Sequence, residues 1–127
     1  MRIQDIYLRQ LSIPLKKTFK TALRSVSEVT TNVVVIETDN GVCGYGEAPP
    51  TAVITGDTNG AIHGAIQERI RPLLIGKDID NLGAILDVVD RAILHNTSAK
   101  AAIDIALHDL WGKMLNVERA RIDKVYQ

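Results

Sequence analysis

The chain has 127 residues and a mass of 13.9 kDa, which suits one domain with one buried core and is too short for a (β/α)8 barrel of about 200 residues or more. Fifteen Lys plus Arg balance fifteen Asp plus Glu, and zero net charge argues against a general nucleic-acid or anionic-membrane binder. Hydrophobic residues at 46% describe a globular chain, and aromatics at 4% are too few for a base-stacking platform.

Residues 2–14 alternate loosely, with Ile3, Tyr7, Leu11 and Ile13 on one parity before Pro14. This reads as a first strand. Leu15 to Val29 reads as a long connection, and long connections in compact domains are often functional. Val33, Val34, Val35 and Ile36 form a β-branched run typical of a strand covered on both faces. Asp39-Asn40-Gly41 follows, then Val42 to Glu47. Asn-Gly between two strand-like runs predicts a hairpin with a type I′ turn. A second irregular segment runs from Ala48 to Gly56 and contains Pro49-Pro50.

The period then changes. Ile62, Ile66, Ile70, Leu73 and Leu74 form a helical stripe capped by Asp57 or Thr58 and ended by Gly76. Pro72 lies inside it, so the last turn is expected to kink or tighten. Leu82, Ile85, Leu86, Val89 and Ile93 form a second stripe, capped by Asp80 or Asn81. A third helix is expected from Ser98 to about Leu115, with Asn116 as its stop. Its apolar residues cover well over half its circumference, as in a helix buried on several sides. It is either the central helix of a small α+β core or carries a surface meant for a further domain.

Side chains suited to chemistry are sparse. His63, His95 and His108 have no metal-binding spacing, and Cys43 has no neighbouring base, so it reads as a small buried hydrophobe. Gly44-Tyr45-Gly46 lacks the third glycine and following helix of a dinucleotide fingerprint. One cysteine forms no internal disulfide, no apolar run approaches about 20 residues, and Met1 to Asp5 lacks a signal-peptide core. A cytoplasmic protein with no membrane or nucleic-acid partner is expected. Lys16, Lys17, Lys20 and Arg24 surround Phe19, the only phenylalanine. This pattern fits either a ligand lid, with Arg24 forking onto a carboxylate, or a solvated basic loop.

Four blocks occur in order: residues 17–24 (KTFKTALR), 44–51 (GYGEAPPT), 53–57 (VITGD) and 98–110 (SAKAAIDIALHDL). Together they resemble the N-terminal capping domain of the enolase superfamily, muconate-lactonizing subgroup, and within it the L-Ala-D/L-Glu dipeptide epimerases. The likeness spans residues 1–117. It implies an α+β fold, a three-stranded antiparallel sheet followed by a bundle of three helices, closing over a barrel domain. It also implies that Arg24 binds a substrate carboxylate and that Phe19, Thr21 and Ile54 line the pocket. Glu47 matches a recurrent position and reads as structural. Family chemistry is proton abstraction alpha to a carboxylate, with a magnesium ion and paired lysines on the barrel. No lysine, metal ligand or other catalytic residue of this chain lies in a matching motif, so the fragment is expected to be inactive and to bind no metal. Residues 118–127 form a charged tail without a counterpart in that family, as in a truncated, rearranged or excised product. The alternatives are the capping domain of a muconate cycloisomerase or N-acylamino-acid racemase, or a non-enzymatic, self-associating fragment. Loss of barrel cover is expected to favour a homo-oligomer.

Overall fold

The computed structural model describes residues 1–20, 25–48 and 58–125, with side chains described for 1–12, 31–48 and 58–116. Three antiparallel strands, β1 (Ile3–Lys20), β2 (Ser25–Thr38) and β3 (Cys43–Ala48), form a sheet in the order β1-β2-β3. The expected connection from Leu15 to Val29 is therefore mostly strand. Its last residues, Ser25 to Val29, run with Thr30 and Thr31 into a valine- and threonine-rich stretch that pairs readily. Pro14, which has no N–H to give a ladder, coincides with a register break between Pro14 and Phe19 rather than a strand end.

The β2–β3 hairpin closes differently from the expected type I′ turn. Gly41 N–H donates to the Thr38 carbonyl at 3.1 Å, and Thr38 N–H donates to the Val42 carbonyl at 3.1 Å. Only Gly41 in this turn has positive φ, at 85°. The loop is thus three residues long, with glycine alone in the left-handed position. The Thr38 hydroxyl holds Asn40 out of that region, lying 2.6 Å from its Oδ1.

The helical layer begins with α1, built of three contiguous pieces: Asn59–Gly64 in α geometry, Ala65–Ile70 as a π turn, and Arg71–Leu74 in α geometry. Thr58 caps it by accepting from Ala61 N–H at 3.1 Å. Pro72 does not tighten the last turn. The helix widens before it, which relieves the clash between the proline ring and the carbonyl one turn back. Leu73 is 45% exposed, off the buried stripe. A 3-10 turn (Ile79–Asn81), capped by Asp78, leads into α2 (Leu82–Ala92). Asn81 precedes α2 without a side-chain capping bond, and Ile93, expected in the stripe, is already extended. His95 and Asn96 turn the chain with φ of 57° and 51°. The third helix, α3 (Thr97–Val125), starts one residue before Ser98 and runs past Asn116 into the charged tail. Asparagine is only a mild helix breaker, and Glu118, Arg119, Ala120 and Arg121 are good helix formers.

The core lies between one sheet face and the helices. Ile6, Val34, Ile36 and Ala48 meet Ile62, Ile66, Ile70 and Leu74 of α1, Ile85 and Val89 of α2, and Ala102, Ile103, Ala106, Leu107 and Leu110 of α3. Each large side chain so buried contributes about 1.5–3 kcal/mol of transfer free energy. Asp5 and Arg71 join β1 to α1, with Nε at 3.1 Å and Nη2 at 2.9 Å from Oδ1. On the other sheet face Val35 is buried in a cross-strand row between Tyr7 and Tyr45. The strand cover expected there comes from neighbouring side chains, not from a second helical layer.

Candidate functional site

The row Gln10–Asn32–Ala48 crosses all three strands near one end of the sheet. Beyond it β3 stops, while the β1–β2 ladder continues to the pair Lys20–Ser25. Both segments singled out in the sequence as pocket-forming therefore leave the sheet at the same end. Phe19 lies in β1 opposite Val26. Thr21, Arg24 and Ile54 lie outside the described residues.

Polar side chains organise that end. Asn32 is fully buried, and its Nδ2 donates to the Ala48 carbonyl at 3.1 Å and to Asn59 Oδ1 at 2.8 Å. Its Oδ1 is buried without a hydrogen-bond partner. On the other face the Thr31 hydroxyl donates to Glu47 Oε1 at 2.9 Å, so Glu47 joins β3 to β2.

A second polar cluster fastens α3 to β3. Asp109 Oδ2 accepts the outward-facing Tyr45 N–H at 2.9 Å, and Lys113 Nζ donates to the Cys43 carbonyl at 2.7 Å. Lys113 also donates to Asp109 at 2.9 Å and lies 4.8 Å from the Tyr45 ring centroid. Burial pushes the Asp109 carboxyl up, but the Lys113 ammonium and the Tyr45 N–H outweigh it and hold the group below its ordinary 3.8. Sequence reading missed this pair. Its signal was the i, i+4 spacing of acid and base on one helix.

The remaining candidates take part in ordinary structure. His108 Nδ1 lies 2.7 Å from Asp104 Oδ1, one turn away on α3. Cys43 is half-buried rather than buried, because β3 is an edge strand. Among the described residues, no three His, Cys, Asp or Glu side chains converge on a metal position. These described residues therefore do not fit a resident divalent cation. An open groove of about 440 Å³ lined by Arg2, Lys77, Asp78 and Asn81 lies at the opposite end of the sheet, next to the Ile3–Thr38 pair. Among the described residues no helix is long and apolar enough to cross a membrane.

Comparison with known proteins places this geometry. The profile of the mandelate racemase / muconate lactonizing enzyme N-terminal domain matches residues 3–120. The L-Ala-D/L-Glu epimerase of Clostridium acetobutylicum is 51% identical over 113 residues, covering 89% of this chain and 32% of that protein. The substrate-liganded L-Ala-D/L-Glu epimerase structure from Bacillus subtilis superposes with a TM-score of 0.85 at 43% identity, covering 91% of this chain and 32% of that one. The dipeptide epimerase of Enterococcus faecalis, complexed with Mg and L-Leu-L-Tyr, gives 0.81 at 36% identity, with 91% and 32% covered. The chain thus spans about a third of the length of these relatives. The chain belongs to the mandelate racemase / muconate lactonizing enzyme N-terminal domain family.

Proposed function

We propose that this chain is the substrate-capping part of a dipeptide epimerase, contributing specificity rather than proton transfer. The observation that supports the reading is the 51% identity to an L-Ala-D/L-Glu epimerase over 89% of this chain. The convergence of the two connecting segments at one end of the sheet is in keeping with it. Arg24 would pair with a substrate carboxylate through its planar fork, and Phe19, Thr21 and Ile54 would exclude water around the dipeptide. Proton abstraction alpha to a carboxylate, and the magnesium named for the Enterococcus faecalis relative, would belong to the remaining two thirds of such an enzyme.

Incubating the chain with L-Ala-D-Glu and magnesium is expected to give no epimer, and sustained turnover would overturn the division of labour. In a longer protein carrying this sequence, Arg24→Ala is expected to lower kcat/KM for the dipeptide by about 10- to 100-fold, the loss of one charge-assisted pair. Unchanged kinetics would remove Arg24 from the site.

A further inference from the structure

We infer that the sheet face turned away from the helices is a docking surface for a second copy of this chain, related to the first by a two-fold axis along β2. Two adjacent cross-strand rows lie on this face, Tyr7–Val35–Tyr45 and Arg9–Val33–Glu47. Tyr45 is 51% exposed, Tyr7 and Val33 are half-buried, and Leu11, further along β1, is 47% exposed. Tyrosine, valine and leucine gathered in one patch are apolar surface that strand pairing does not require.

The charges say what covers it. Arg9 on β1 and Glu47 on β3 are both exposed and flank Val33 at one strand spacing on either side. Among the described residues neither forms an ion pair. Rotation by 180° about β2 exchanges β1 with β3 and lays one face on the other. It sets Arg9 against the partner's Glu47 and Tyr7 against the partner's Tyr45, each twice, and Val33 and Val35 against their own copies. The valines then form an apolar centre with charged pairs at the corners, the layout of an isologous interface. Glu37, next along β2, stands toward the Tyr7 hydroxyl, 3.5 Å from its Oε1, and so off the axis. A two-fold across the strands, along the tyrosine row, instead sets Glu47 against the partner's Cys43 and gives it no cation. The patch is smaller than the roughly 800 Å² per partner of a standard interface, so the dimer is weak, with Kd of about 10–1000 μM.

Sedimentation equilibrium of the whole chain at low salt, from about 10 μM to several mM, tests this. The average mass is expected to rise from 13.9 kDa toward twice that value. Arg9→Glu and Glu47→Arg each set like charges together, and each is expected to raise Kd about tenfold or more. An equimolar mixture of these two variants opposes unlike charges at every corner and is expected to associate at least as tightly as the unmodified chain. Ile105→Asp, on the exposed side of α3, is expected to leave association unchanged. Circular dichroism checks that each variant folds, and Arg9→Glu decides alone if Glu47→Arg does not. A monomer throughout, association indifferent to Arg9→Glu, a mixture no tighter than its components, or loss through Ile105→Asp would overturn the inference.

Discussion

Gly44 and Gly46 show what one missing methyl group permits. A Cβ on Gly46 would run into the carbonyl of Ala102, with that carbonyl carbon at 2.8 Å. On Gly44 it would meet the Ala106 carbonyl and lie 2.6 Å from Leu110 Cγ. The backbone of β3 therefore rests directly on the Ala102–Ala106–Leu110 ridge of α3. Gly46→Ala is expected to cost about 1–3 kcal/mol or more, since helix backbone cannot give way. Gly112→Ala, where a Cβ meets nothing within 4 Å, should instead stabilise by about 0.5–1 kcal/mol. Urea midpoints of the two variants check the contrast. Ile103 and Ile105 make a similar pair, two residues apart at 0% and 55% exposure. Ile103→Ala should cost about 2–5 kcal/mol, and Ile105→Ala less than about 0.5 kcal/mol. Sequence reading saw the glycines and the apolar surplus of α3, but a glycine's reason lies in the element opposite, and opposition is not written in local pattern.

At the scale of elements, the stripe of α1 held more information than a helical reading extracts. Ile62, Ile66, Ile70 and Leu74 recur every fourth residue, and all four are buried. In a straight α-helix such a row drifts by about 40° per step. The π turn removes the drift and keeps the four isoleucine and leucine side chains on the sheet. A strict spacing of four, with proline after the third member, was the legible sign of widening. Strand lengths were less legible, because threonines, serines and lysines in 15–29 look like loop until a partner strand accepts them.

The attachment of α3 to β3 gives a pH dependence. The folded Asp109 carboxyl titrates below its ordinary 3.8. Its stabilisation is therefore fully present above 3.8 and is lost as pH falls through the lowered folded value. Asp109→Asn should cost about 0.5–1 kcal/mol near neutrality after solvent screening, with the difference from the unmodified chain closing in acid. Chemical denaturation across that range is the measurement.

At the scale of the whole molecule, the succession of strands and then helices followed from the coarse pattern, β-branched runs first and periods near 3.6 afterwards, whereas the three-stranded antiparallel sheet was implied by the family resemblance. The candidate site was legible only through its resemblance to a known family, since the spacing of Phe19, Arg24 and Ile54 carries no geometry by itself. Seen whole, the sheet has two flanks of unequal character. On the β3 flank, Asp109 and Lys113 offer an acceptor and a donor to Tyr45 N–H and the Cys43 carbonyl, the same pair a fourth strand would supply. Another polypeptide seeking to add itself there finds those valences already taken. Strand addition, in assembly or in aggregation, is thereby disfavoured along the Cys43–Tyr45 stretch of that flank.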